Sequence, residues 1–246
     1  MLPSNSPDGW PTLPGTWPTL DVSPGVTARI IREMPPLDPA LDVAVERHWQ
    51  AACRRHDLFN GQVFCADRIG PDVIEGHWTE YRREVAQFAD PALASALGLR
   101  CLAVCGAVCC PDGVVLGRRD PGAIYQPGEW QLPPAGSVDR GAERGDTADL
   151  QAALLSELQE ELGIGGDAVE AMRPLCLVMH PSGVLDLGIQ VTTRLSGAEI
   201  LAAHRAHGNR EYAMLAIVPP GGIEAYVAAR HGTLVPTAHE LLQRLR

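Results

Sequence analysis

The sequence predicts an α/β chain in two parts, a small α+β segment over residues 1–97 and a larger α/β unit over residues 98–246. Three observations predict it. Short apolar runs closed by Pro/Gly turn signals alternate with stretches of helical period along most of the chain. Of the 246 residues, 46% are apolar and 20% charged, the balance of an ordinary globular protein. A glutamate-bearing helix around Ser156 to Ile164 follows a strand-like segment broken by Pro133-Pro134-Ala135-Gly136.

The elements follow in order. Residues 1–24 are rich in Pro, Ser, Thr and Gly with Trp10 and Trp17 interleaved, and are either disordered or packed extended across the surface through the two rings. Val26 to Arg32 reads as a strand. Pro39 to Arg55 reads as a helix, because Leu41, Val45, Trp49 and Cys53 form an i, i+4 stripe. Leu58-Phe59-Asn60-Gly61 is a turn into a strand from Gln62 to Arg68, followed by a strand from Asp72 to Thr79 and a helix from Tyr81 to Ala96. In the second part, Leu102 to Cys110 and Val114 to Arg119 flank the turn Pro111-Asp112-Gly113 as a hairpin. Leu175 to His180 and Val184 to Leu195 are strands. Ser196 caps a helix running to Ala206, Ala213 to Pro219 is a strand, and helices cover Gly222 to Arg230 and Thr237 to Leu245. No internal repeat is apparent.

Composition narrows the function. All 20 basic residues are arginine, and the net charge of −10 argues against a nucleic-acid surface, which needs basic patches. No run approaches the ~20 apolar residues of a membrane span, and no charged n-region with an apolar h-region opens the chain. Cys101, Cys105, Cys109 and Cys110, four of the seven cysteines, sit in an apolar strand region and read as small packing groups rather than zinc ligands. The chain reads as cytoplasmic and reduced.

The acidic helix carries the chemistry. At roughly 100° per residue, Glu157, Glu160 and Glu161 fall within an arc of about 100°, beside a packing stripe of Leu155, Leu158 and Leu162. Like charges at these spacings destabilise a helix by a few tenths of a kcal/mol per pair, roughly. A hard divalent cation removes that repulsion, and all-oxygen donors select Mg²⁺ or Mn²⁺. A solvated acidic face is the alternative.

A hairpin, a strand ending in a Pro/Gly loop and then a helix with these glutamates resembles the Nudix hydrolase family. That family's signature is Gly, five residues, Glu, seven residues, then Arg-Glu-apolar-x-Glu-Glu-x-Gly-apolar. Ser156 through Ile164 reads its second half with one mismatch, Ser156 for Arg, and Gly136 takes the place of the signature glycine. Two features depart. Ser156 cannot form the ion pair by which the Arg orients the first helix glutamate. Ala148 stands where the first Glu belongs, twelve residues after Gly136 instead of six. The extra residues lie in the polar stretch Arg140 to Thr147, where Thr147 or Asp146 is a candidate helix cap and Glu143 a candidate for the displaced carboxylate. The segment Leu58-Phe59-Asn60-Gly61, the two strands after it, Tyr81 and the late run Gly232 to Leu242 resemble the UDP-sugar diphosphatase branch, which also has an insertion before the helix and a polar residue in place of Arg.

The resemblance implies an α/β/α sandwich with a mixed sheet, behind the small α+β extension, acting as a diphosphatase that cleaves UDP-glucose or UDP-galactose to UMP and sugar 1-phosphate. It implies Mg²⁺, with Mn²⁺ as a substitute, held by Glu157, Glu160, Glu161 and the Ala135 carbonyl, with Glu157 and Glu160 in the catalytic set. Glu211 is the candidate general base and Asp186 a weaker one. Arg118 and Arg119 are candidates to face the diphosphate, although adjacent strand residues point to opposite faces. Tyr125 is a candidate to stack on a base, whereas Trp130 reads as core and His180 as structural. Arg140 and Arg144 read as solvated rather than as a phosphate clamp, and His56-Asp57 lacks companion histidines. Other diphosphate substrates (ADP-ribose, coenzyme A, dinucleotides) and a nucleotide-binding domain without catalysis are the alternatives. The partner is a small nucleotide, not a nucleic acid or a membrane.

Overall fold

A computed structural model describes residues 17–245. The expectation for residues 1–16, Trp10 included, lies outside the described residues. In chain order the first elements are β1 (Thr19–Asp21), β2 (Thr27–Ile30), α1 (Pro39–Cys53), β3 (Gln62–Ile69), β4 (Val73–Glu80), α2 (Tyr81–Ala89) and α3 (Pro91–Leu97). Next come β5 (Leu102–Cys110), β6 (Gly113–Arg119), β7 (Trp130–Gln131), β8 (Ala135–Ser137), β9 (Glu143–Arg144), β10 (Thr147–Ala148) and α4 (Leu150–Leu162). The last are β11 (Val169–Met179), β12 (Leu185–Thr193), α5 (Gly197–His207), β13 (Tyr212–Val218), α6 (Ile223–Ala228) and α7 (Pro236–Leu242).

The main sheet is mixed. Strands β1, β11, β12, β5, β6 and β13 lie side by side in that order, β12 parallel to β5 and the other neighbours antiparallel. The β5–β6 hairpin is paired only near its turn, at Cys109–Val114 and Cys110–Gly113. Beyond that point it splays, and residues 130–137 enter the gap, β7 pairing with β6 and β8 with β5. Gly106 permits this approach, since a Cβ there would lie 2.6 Å from Pro134 Cδ. The splay carries the backbone of Ala135 and Gly136 into the middle of the sheet, against α4.

Side chains along β5 alternate between two cores, as the strand period requires. Leu102, Val104 and Val108 pack with Leu154, Leu158 and Leu162 of α4 and Ile200 of α5. Cys105 and Ala107 face the other way, towards Ile223 and Val227 of α6 and Ala238 and Leu241 of α7. Helices therefore cover both faces, and the α/β/α sandwich with a mixed sheet is the class expected. All seven cysteines are free. Among the described residues no helix is long and apolar enough to cross a membrane.

The N-terminal part and the insertion are interleaved with this sandwich. A second sheet runs β3–β4–β2–β10–β9, so the segment before α4 completes a sheet begun by the N-terminal strands. Phe64, Ile74 and Trp78 share a core with Leu102, Leu154 and Leu158, and β1 edges the main sheet. The stretch from Arg140 to Thr147 is thus an ordered turn and hairpin, not an open loop.

Two local expectations are corrected. The helix from Tyr81 to Ala96 is two helices, because Pro91 lacks an amide and disfavours helical geometry at the residue before it. Asp90 is extended, at φ −138° and ψ 100°, and its carboxylate accepts from Ala92 N at 2.9 Å to start α3. The cap of α4 is Asp149, whose Oδ1 accepts from Ala152 N at 3.0 Å, and not Asp146 or Thr147. Thr147 belongs to the hairpin, where its hydroxyl donates to Arg144 O at 3.0 Å.

Candidate active site

Leu154, Leu158 and Leu162 bury one face of α4 and present its glutamates to β8 and β13. Glu161 is buried, at 3% exposure. Its Oε2 accepts from Ala135 N at 3.1 Å and from the Tyr212 hydroxyl at 3.0 Å, and that hydroxyl accepts in turn from Gln131 Nε2 at 2.6 Å. Glu157 lies over Gly136 so closely that a Cβ there would stand 2.0 Å from Glu157 Oε1. Only glycine leaves room for that carboxylate. Glu160 is exposed, and its Oε1 accepts from Ser156 Oγ at 3.0 Å. Ser156 thus orients Glu160 and not Glu157.

The acids on this face repel one another. Burial, followed by the charges of Glu160, Asp139 and Glu211, pushes the Glu157 carboxyl up to about 7. Burial, followed by Glu157 and Glu211, pushes Glu161 up to about 8, against the opposing hydrogen bonds from Ala135 and Tyr212. Glu211 precedes β13, and its Oε1 lies 2.6 Å from Nη2 of the buried Arg119. Arg118 takes the other face of β6, where its Nε donates to Gly128 O at 3.0 Å. The alternation of the two arginines is as expected, and it is Arg119 that reaches the site.

A cavity of about 200 Å³ opens beside these groups. Ala135, Gly136, Arg119 and Glu211 border it, so it adjoins the backbone against which Glu157 and Glu161 rest. Tyr125 also lines it, with its ring 6.0 Å from Phe88 and 5.5 Å from His180. Asp186 forms another part of the wall, fully buried, with its Oδ2 accepting from Thr237 Oγ1 at 2.6 Å. Burial raises this carboxyl to about 6. His180 is structural, packed edge-on against Trp17 at 4.2 Å, and Trp130 is core at 1% exposure.

Three residues suggested by the insertion stay away from the cavity. Arg140 pairs with Glu143 and donates to Gln62 Oε1 at 2.6 Å. Glu143 is held in that pair and does not supply the displaced carboxylate. Arg144 bonds the backbone oxygens of Gly141 and Glu143, at 3.0 and 2.7 Å. The negative charges near Glu157 are those of Glu160, then of Asp139, three residues after Gly136, and of Glu211. Asp139, Tyr212, Gln131 and Glu84 are site residues that the sequence pattern did not single out. Tyr212 had a signal, since it adjoins Glu211. Glu84 had none, because Arg82-Arg83-Glu84 reads as a solvated helix start.

The donors fit a hard divalent cation by their chemistry. Glu157 and Glu161 are largely buried oxygens with negative neighbours, and no arginine or histidine pairs with either among the described residues. Among those residues no group of three or more His, Cys, Asp or Glu forms a ready-made metal cage. Neutralisation of the pair by a cation is the change that would relieve their mutual repulsion.

Solved structures similar to this chain include DR0079 from Deinococcus radiodurans, at 17% identity over 75% of this chain and 99% of the other, with a TM-score of 0.49. The Nudix hydrolase RenU from M. smegmatis is 22% identical over 60% of this chain and 84% of its own, with a TM-score of 0.41. The NUDIX domain of Shewanella oneidensis NrtR, complexed with ADP ribose, is 14% identical over 59% and 85%, with a TM-score of 0.42. No family model and no curated protein matches the chain.

Proposed function

We propose that the protein is a Nudix-type diphosphatase that depends on Mg²⁺ or Mn²⁺ and hydrolyses a nucleoside diphosphate joined to a sugar, UDP-glucose or UDP-galactose, to UMP and sugar 1-phosphate. The observation that carries it is the repelling pair Glu157 and Glu161, set against Gly136 and Ala135 beside a cavity that also holds Arg119 and Glu211. Glu157, Glu160 and Glu161 would hold the metal, with the Ala135 carbonyl. When bound, the cation supplies neutralisation of the diphosphate oxygens and a lowered pKa for water.

The chain's own residues do the rest. Tyr212 and the Ala135 amide fix the Glu161 rotamer, so its other oxygen has a set direction. Glu211 accepts the proton of the attacking water, and Arg119 positions the Glu211 carboxylate. The water oxygen bonds to a phosphorus as the bridging P–O bond breaks, and the bridging oxygen leaves with the other phosphate. Attack at either phosphorus gives the same two products.

The test is incubation of the full chain with Mg²⁺ and a panel of UDP-sugars, ADP-ribose, coenzyme A and diadenosine polyphosphates. UMP from UDP-glucose, lost in EDTA, is the expected result. Cleavage of a different member keeps the diphosphatase and removes the sugar nucleotide. Nucleotide binding with no cleavage of any member identifies a binding domain and overturns the enzyme.

A further inference from the structure

One buried acid takes no part in that chemistry. Glu84 lies on α2 of the N-terminal part, 4% exposed, and lines the same cavity as Gly136 and Glu211. Among the described residues its Oε2 has no hydrogen-bond partner and no basic side chain compensates the carboxyl, which takes a hydrogen bond from the Cys101 thiol and lies near Cys65 and Asp186. Buried polar atoms in folded proteins are nearly always satisfied, and an exception in a cavity wall asks for a ligand. Tyr81 and Phe88, three residues before and four after Glu84, fall on the same helix face and line the cavity with it. Tyr125 adds a third ring.

Volume and charge limit the occupant. At about 200 Å³ the cavity is smaller than the ~300 Å³ at which sites for drug-sized ligands begin, so it takes one ring of a substrate and not a whole sugar nucleotide. Three acids line it, Glu84, Asp186 and Glu211, and the arginine in its wall, Arg119, is already paired with Glu211, which leaves no unpaired cation there for a phosphate. A uracil edge presents carbonyl acceptors on both sides of its one N–H and matches a carboxyl oxygen poorly. A sugar ring fits, because each hydroxyl can donate to that oxygen while the C–H faces of the ring lie on aromatic side chains.

We propose that Glu84 is a specificity-determining residue for the sugar half of the substrate, its unpartnered oxygen accepting hydrogen bonds from the hydroxyls of a pyranose ring seated against Tyr81, Phe88 and Tyr125. This assignment rests on the diphosphatase reading for the other half of the substrate. The N-terminal part then selects the sugar, and the acidic helix cleaves the diphosphate that carries it.

The experiment compares wild type, Glu84→Leu and Glu84→Gln on UDP-glucose, UDP-galactose and the methyl ester of UDP, which keeps the diphosphate and lacks the ring. Loss of a buried hydrogen-bond partner predicts about a tenfold or larger fall in kcat/KM of Glu84→Leu on UDP-glucose, carried by KM. The methyl ester should be cleaved within about twofold of wild type. Glu84→Gln keeps the shape and should change the glucose-to-galactose ratio of kcat/KM by about threefold or more. An equal loss on all three substrates, or an unchanged ratio, overturns the assignment. If wild type cleaves none of them, the diphosphatase reading fails by itself. Calorimetry without metal then decides the pocket: wild type must bind UDP-glucose about tenfold more tightly than UDP, and Glu84→Leu must lose that difference. No difference in wild type overturns the proposal.

Discussion

One cavity has Glu84 in its wall and, beside it, the backbone on which Glu157 and Glu161 rest, and these carboxyls differ in why they resist ionisation. Glu157 on α4 is raised by burial and then by the charges of Glu160, Asp139 and Glu211, and Glu161 by burial and then by those of Glu157 and Glu211. Glu84 on α2 is pushed up to about 8 chiefly by burial, with the charges of Cys65 and Asp186 secondary. Repulsion among several acids is relieved by a cation. An isolated buried acid with an unpartnered oxygen is relieved by a hydrogen-bond donor. The same shift in proton affinity therefore points to a metal at one place and to an organic ring at the other.

The largest effect should come from removing one charge of the α4 pair. Glu161→Gln keeps the side chain's size and can still accept from Ala135 N and Tyr212 Oη, but it loses the charge. Turnover with Mg²⁺ is expected to fall by about 10²–10³-fold or more. Melting in EDTA at pH 8 should occur at or above the wild-type temperature, since a repelled buried charge has gone. A variant that keeps most of its turnover removes the α4 pair from the mechanism, and one that melts far lower shows that the carboxylate serves the fold.

Next in size is Gly136→Ala. Its Cβ would stand 2.0 Å from Glu157 Oε1 and 2.1 Å from Cδ, so the carboxylate must move by an ångström or more. Misplacement of that order lowers kcat by roughly 10²-fold. A steady-state assay with a circular dichroism melt separates a displaced carboxylate from a lost fold. Activity near that of wild type would show that the position of Glu157 does not matter.

Much of the first group was legible in the sequence, and little of the second. The α4 glutamates and their leucine stripe follow from helical period, and the division between Arg118 and Arg119 from strand period. Both are local. Gly136 was marked by its place in the signature, although its role, room for Glu157, appears only in three dimensions. The pairing of β10 with β2 could not be read, because it joins the insertion to a strand more than a hundred residues earlier. Glu84 was hidden for the same reason. Its neighbours along the chain are charged, and the groups that stand near it in the fold, Cys101, Cys65 and Asp186, come from other segments. The misplaced cap of α4 has a smaller cause, since Asp146, Thr147 and Asp149 are all competent caps and the hairpin takes the first two.

The two groups also separate in their response to pH. Glu157 at about 7, Glu161 at about 8 and Glu84 at about 8 all lie above the ordinary glutamate value near 4.3. Between those limits these three groups hold more protons folded than unfolded, so their contribution to metal-free stability is complete below about pH 4 and falls as pH rises through 7 to 8. Mg²⁺ should restore the part due to Glu157 and Glu161 only. Its addition is expected to raise the melting temperature by about 2–4 °C or more at pH 8 and by little at pH 5. In Glu84→Gln the remaining decline with pH should become shallower with or without Mg²⁺. An Mg²⁺ effect of equal size at both pH values would remove the cation from the α4 pair.

The smallest effect is expected at Ser156. Its hydroxyl serves Glu160, which is exposed, and not Glu157 or Glu161. Loss of a hydrogen bond between solvated groups is worth about 0.5–1 kcal/mol, so Ser156→Ala should lower kcat/KM by about fivefold or less. Ser156→Arg should do no better than wild type, because Glu157 is already held over Gly136 by the packing of α4. A loss of a hundredfold in Ser156→Ala would mean that Glu160, rather than the buried pair, holds the cation during turnover. The cation would then sit towards solvent, and Glu157 and Glu161 would be left as a repulsive pair with no ligand role.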